Sequence, residues 1–138
     1  MEMTRVFAFV VVPSVLLVAL GMASACSPPQ TAGTVQLDMG DDGRRVELEK
    51  GQLLEVSLEA NPTTGYEWEV QDLDERILRA AGEPEFKPQS DLIGAPGIQT
   101  LRFQPVGVGH TTLKLIYHRR WEKGVKPLET YSAEVTVR

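Results

Sequence analysis

From Thr34 to the C-terminus this chain consists of short segments in which apolar and polar residues alternate, each closed off by Gly, Pro, Asn or Asp. A period of two sends successive side chains to opposite faces of an extended backbone, so such segments suit half-buried strands and not helices. Val35-Gln36-Leu37, Val46 to Glu49, Leu54 to Glu59 and Tyr66 to Val70 follow the pattern, as do Thr100 to Phe103, His110 to His118 and Ser132 to Val137. Gly40-Asp41-Asp42-Gly43 reads as a hairpin turn between the first two, Asp72 to Ala81 as a helical turn or short helix, and Pro84 to Pro88 as extended chain. About seven or eight strands with turns every eight to twelve residues predict an all-β, immunoglobulin-like antiparallel β-sandwich. The chain has a single cysteine, so the sandwich is built without an intramolecular disulfide and depends on its core. Trp68 and Phe103 fall on the apolar phase of their segments and are expected in that core.

The N-terminal segment obeys different rules. Arg5 precedes an almost wholly apolar run from Val6 to Leu20, and Ala23-Ser24-Ala25 supplies small residues before Cys26. This three-part order is that of a secretory signal peptide, here residues 1–25, and the run is shorter than a membrane span requires. The small residues before Cys26 resemble a bacterial lipobox, in which the cysteine is acylated and becomes the new N-terminus. Residues 26–33, rich in Pro, Ser and Gly, read as a flexible tether to a domain over residues 34–138. The expected location is the cell envelope, lipid-anchored on the periplasmic or cell-surface side, or secreted.

Composition narrows the function. A net charge of −5 argues against nucleic-acid binding, which needs clustered positive charge. No Gly-x-Ser-x-Gly elbow or His-Glu-x-x-His helix is present, and Cys26 lies at the tether. His110 and His118 share one predicted strand and one face but sit far apart along it. An enzyme is therefore not expected, and neither a metal nor a cofactor is implied.

Three loops hold what remains. Asn61-Pro62-Thr63-Thr64-Gly65-Tyr66 is a compact turn in which Pro62 fixes its own φ and Gly65 is free to take a positive one, holding the threonines at the tip. Gly94-Ala95-Pro96-Gly97 is a small-residue loop opening into a strand. Arg119-Arg120-Trp121 leaves the end of another, with the residue types most enriched at binding hot spots. In this order the three resemble the chagasin family of inhibitors of papain-like cysteine peptidases, over about Val46 to Val137. The first run matches the family's Asn-Pro-Thr-Thr-Gly-aromatic loop at every position, with Tyr66 where many members have Phe. The second fits its Gly-rich loop, and the third its Arg-Pro-Trp loop, except that Arg120 replaces the proline and should leave the loop more flexible.

The resemblance implies a reversible inhibitor, working as a monomer, whose loops gather at one end of the sandwich and fill the peptidase cleft. Asn61 to Tyr66, Gly94 to Gly97 and Arg119 to Trp121 would make the contact, with the Thr63-Thr64 tip over the catalytic cysteine and Arg119 turned toward polar groups of the enzyme. The alternative reading is a non-enzymatic envelope lipoprotein that binds an envelope protein or polysaccharide through the same loops.

Overall fold

A computed structural model describes residues 33–138. The signal peptide expected over residues 1–25, Cys26 and all of the tether but Gly33 lie outside the described residues. Nine strands are present among them: β1 (Thr34–Leu37), β2 (Arg44–Leu48), β3 (Leu53–Ala60), β4 (Glu67–Asp72), β5 (Leu78–Ala80), β6 (Glu85–Pro88), β7 (Gly97–Pro105), β8 (Gly109–His118) and β9 (Glu129–Val137). They form two sheets. One runs β1-β3-β7, with β5 and β6 both paired to the far side of β7, and the other runs β2-β9-β8-β4.

The sandwich follows from the alternation. Leu54, Val56 and Leu58 of β3 and Leu113, Leu115 and Tyr117 of β8 all point into the core, and the residues between them are more exposed. Trp68 and Phe103 are each 1% exposed, as their phase requires. Trp68 stacks on Tyr117 with ring centroids 5.1 Å apart, and Tyr66 continues the row at 5.4 Å from Tyr117. This aromatic row packs directly beneath the loop that precedes β4.

Two pairings differ from an antiparallel hairpin order. β1 runs parallel to β3 and β2 parallel to β9, so the two segments flanking Gly40–Gly43 belong to different sheets. The run is a crossing and not a hairpin turn. Asp38 caps a single 3-10 turn over Met39–Asp41, its carboxylate accepting from the Gly40 N–H at 2.8 Å. The Asp42 carboxylate then accepts from the Ser132 N–H at 2.8 Å, and the Gly43 N–H donates to the Ser132 carbonyl at 2.7 Å. These bonds to β9 carry the chain across to the second sheet. Asp72 to Ala81 is likewise only partly a helical turn: the Ile77 and Leu78 N–H groups donate to the Asp74 carbonyl, and Leu78, fully buried, opens β5.

One buried polar side chain joins the sheets. Gln99 of β7 sits at an inward, otherwise apolar position; its amide oxygen accepts from the Trp68 N–H at 2.8 Å and its amide nitrogen donates to the Trp68 carbonyl at 2.9 Å. Trp68 is on β4, an edge strand, and Gln99 satisfies its backbone where no neighbouring strand does. The Trp68 indole N–H donates to the Glu59 carbonyl at 2.9 Å, a second link between the sheets that joins β4 to β3. The two strands that bracket the first loop are thereby fixed to each other although they lie in opposite sheets.

Candidate functional site

The strand directions bring three loops to one end. The first follows the end of β3, the second separates β6 from the start of β7, and the third follows the end of β8. Ala60 is opposite Gly97 in one sheet and Glu67 opposite His118 in the other.

The first loop is built around Asn61. Its side-chain oxygen accepts from the Thr63 N–H and hydroxyl, its side-chain nitrogen donates to the Gly94 carbonyl at 3.2 Å, and its backbone N–H donates to the Tyr117 hydroxyl at 2.9 Å. Pro62 opens a single 3-10 turn over Pro62–Thr64, where its missing N–H is no loss. Gly65 ends that turn at φ 83°, in the left-handed region where a side chain is strained, and its N–H donates to the Pro62 carbonyl at 2.9 Å. The Thr64 hydroxyl donates to the Asn61 carbonyl at 2.6 Å. Both threonines are exposed at the tip as expected, with their hydroxyl protons engaged within the loop.

The third loop is fastened to the first. The Arg119 Nε donates to the Thr64 carbonyl at 2.9 Å, and its guanidinium lies 4.4 Å from the centroid of the Tyr66 ring and 6.0 Å from that of Trp121. Glu122 holds its other end at 3.2 Å. Arg119 is thus turned inward as a clamp between loops, whereas an outward orientation was expected. Trp121 is 66% exposed and rests on Gly65: a Cβ there would lie 2.7 Å from Cζ2 and nearer still to Cη2. The indole occupies the space that the absent side chain leaves.

Arg120, in the place of the expected proline, reaches back to β4. Its Nε pairs with Glu67 Oε1 at 2.5 Å and lies 3.7 Å from Glu69 Oε2, which also meets His118 Nε2 at 2.6 Å. Where a proline would stiffen the loop by its ring, an ion pair ties it to β4. That tie is exposed, so it is a weak one.

The second loop is closed by the Gln89 N–H donating to the Pro96 carbonyl at 3.0 Å, and by the Ala95 N–H donating to the Leu92 carbonyl at 3.1 Å. Gly94 takes φ 81° and sits beside the Thr63 hydroxyl. Gly97 belongs elsewhere: it is buried at the start of β7, where a Cβ would strike the backbone of Lys87 and Pro88. Its role here is to admit β6 alongside β7. The outermost residues of this loop are Leu92 and Ile93, both strongly exposed.

Sequence reasoning did not single out Tyr117 or Gln99, which hold the base of the first loop. Gln99 did leave a signal, as the one polar residue on the inward phase of Gly97 to Phe103. Among the described residues no group of His, Cys, Asp or Glu is arranged to hold a metal ion. His110 reaches only Thr136, at 3.2 Å, far along the strand from His118.

Known proteins resemble this chain in sequence and fold. The profile of the chagasin family peptidase inhibitor I42 matches residues 47–135. Amoebiasin-2 of Entamoeba histolytica is 32% identical over 104 residues, covering 71% of this chain and 80% of that protein. Chagasin of Trypanosoma cruzi is 27% identical over 84 residues, covering 58% and 76%. The crystal structure of a cysteine protease inhibitor from Entamoeba histolytica superposes with a TM-score of 0.70 at 29% identity, covering 78% of this chain and 97% of that one.

Proposed function

The chain belongs to the chagasin family of peptidase inhibitors, and on that premise we propose that its three joined loops enter the groove of a papain-like cysteine peptidase as one rigid wedge. The protein is an inhibitor of papain-like cysteine peptidases and not an enzyme. The observation that carries the wedge reading is the set of bonds between loops: Arg119 to the Thr64 carbonyl, Asn61 to the Gly94 carbonyl, and Trp121 packed on Gly65.

The same bonds supply a mechanism without chemistry. A papain-like enzyme attacks a substrate carbonyl with a cysteine thiolate paired to a histidine, and the carbonyl must be presented in a reactive geometry. The Asn61, Pro62 and Thr64 carbonyls already accept hydrogen bonds from Thr64, Gly65 and Arg119 respectively, in a 3-10 turn and not an extended strand. Thr63 and Thr64 then lie over the catalytic cysteine while the turn withholds a scissile bond. Gly94 to Pro96 and Trp121 contact the two walls of the groove, and Gly97 acts by shaping the loop behind them. Because the loops are ordered before contact, little conformational entropy is lost on binding, which favours affinity.

The test is a pair of variants, Thr64→Arg and Trp121→Ala, titrated into a papain-like peptidase against a fluorogenic substrate. Each is expected to raise the inhibition constant at least about tenfold, the loss of roughly 1.4 kcal/mol. Unchanged inhibition by both would remove the wedge.

The proposal extends to the N-terminal segment: residues 1–25 export the chain, Cys26 carries lipid, and residues 26–33 tether the domain in the cell envelope. The order of charged, apolar and small residues before a lone cysteine supports this. Metabolic labelling with a radioactive fatty acid should mark the wild-type protein and not Cys26→Ala; equal labelling of both would refute acylation at Cys26.

A further inference from the structure

The two ends of this sandwich are unlike, and the chain enters at the end away from the loops. Thr34 pairs with Leu53 at the start of β3, while the first loop follows Ala60 at its end. Eight residues of strand separate them, roughly 26 Å at about 3.3 Å per residue.

At the entering end the β7–β8 turn presents Val106 and Val108, 41% and 66% exposed. It is a firm projection. The Val106 and Gly107 N–H groups both donate to the Ile77 carbonyl, at 2.8 and 3.3 Å, and a Cβ on Gly107 would strike the Arg76 carbonyl oxygen. Two ion pairs stand beside it, Arg76 with Asp74 at 2.8 Å and Arg138 with Glu47 at 2.6 Å, while the neighbouring Glu75 is exposed.

We infer that this end faces the bilayer, with Val106 and Val108 against the headgroup region and the three loops directed into the aqueous phase. The inference rests on the reading that Cys26 is acylated. Residues 27–33 span at most about 24 Å when fully extended, so the Val106–Val108 turn stays close enough to touch the surface. The loops stand at least a domain length above it. The apolar residues at opposite ends therefore serve different partners: Leu92, Ile93 and Trp121 face a peptidase, and Val106 and Val108 face lipid. A peptidase arriving from solution meets the wedge unobstructed, and anchoring leaves inhibition intact.

The experiment uses the full-length acylated protein in phosphatidylcholine and phosphatidylglycerol vesicles, carrying an environment-sensitive fluorophore on Val108→Cys or, separately, on Ile93→Cys. Flotation with the vesicles is scored first. The expected result is a blue-shifted Val108→Cys label quenched by spin-labelled lipid, an Ile93→Cys label that is neither, and a wild-type inhibition constant for papain within about twofold of the lipid-free domain's. Quenching of the Ile93→Cys label, quenching of neither, or about tenfold weaker inhibition on vesicles overturns the orientation. Failure to float overturns the anchor and this inference with it, and leaves inhibition by the soluble domain standing.

Discussion

Replacing Gly65 by alanine separates two effects that the structure places on one residue. Gly65 has φ 83°, and an L-residue in that region costs about 1–2 kcal/mol. Its new Cβ would also lie 2.7 Å from Trp121 Cζ2 and 3.0 Å from Cζ3, against an unstrained separation of about 3.5–4.0 Å. The indole must therefore retreat by roughly 1 Å or more. Trp121 is exposed and has room to swing, so the retreat adds little to the stability loss but moves a wall-gripping side chain out of register. Gly43 provides the control: it has φ 79° in the crossing between sheets, and a Cβ there meets nothing within 4 Å. Gly65→Ala and Gly43→Ala should lose similar stability, about 1–2 kcal/mol by urea denaturation. Only Gly65→Ala should weaken inhibition of papain, by about tenfold or more, since a displaced interface tryptophan is a hot-spot loss. In a Trp121→Ala background the Gly65→Ala change should weaken inhibition no further. Equal inhibition by the two glycine variants would refute the argument that the bare Gly65 surface seats Trp121.

Arg119→Ala removes the hydrogen bond to the Thr64 carbonyl and the contact with Tyr66, together about 1–2 kcal/mol. A melting temperature lower by about 4–8 °C for each kcal/mol lost, and faster dissociation from papain, are expected, and Arg119→Lys should recover only part of both, because an ammonium lacks the planar stack. Gln99→Leu strands the Trp68 N–H and carbonyl in the core, so urea denaturation should show a loss of about 2–4 kcal/mol. Acid should destabilise the fold through three carboxylates held below their usual range: Asp41 by the Asp38 backbone N–H and Arg44, Asp74 by the Arg76 side chain and backbone, and Glu85 by Arg102. Depressed values give stability that is complete above the unfolded values, 3.8 for Asp and 4.5 for Glu, and that fades as pH falls through the lower folded ones. Urea midpoints should thus hold down to about pH 5 and drop toward pH 3, less steeply in Asp41→Asn/Asp74→Asn.

The sequence revealed most where side-chain period decides the outcome. β3, β8 and β9 alternate cleanly, so their inward residues were legible, and β4 alternates over Glu67 to Glu69, enough to place Trp68, before its register shifts between Val70 and Asp72. Asn61 to Tyr66 was legible too, because Pro62 and Gly65 act on their own backbone. Long-range partners were not. Whether Gly40–Gly43 turns back or crosses depends on Ser132 of β9, and no local pattern carries that. β5 has three residues, too few to show a period, and follows a true turn at Asp74. Arg119 beside a tryptophan suits an outward hot spot or an inward clamp equally well, and only the Tyr66 ring on the neighbouring loop selects the second. Arg120 is the same case, its conformation set by Glu67 on another strand.

The mechanism proposed for this domain is inhibition by a preformed, uncleaved wedge. Its most direct test is to titrate residues 30–138 into papain, follow hydrolysis of a fluorogenic substrate, and examine the recovered inhibitor by mass spectrometry. Stoichiometric or sub-micromolar, reversible loss of activity, with the Asn61–Tyr66 turn intact, is the predicted result. No inhibition of papain or of several related peptidases, or inhibition that proceeds only with cleavage inside that turn, would contradict it.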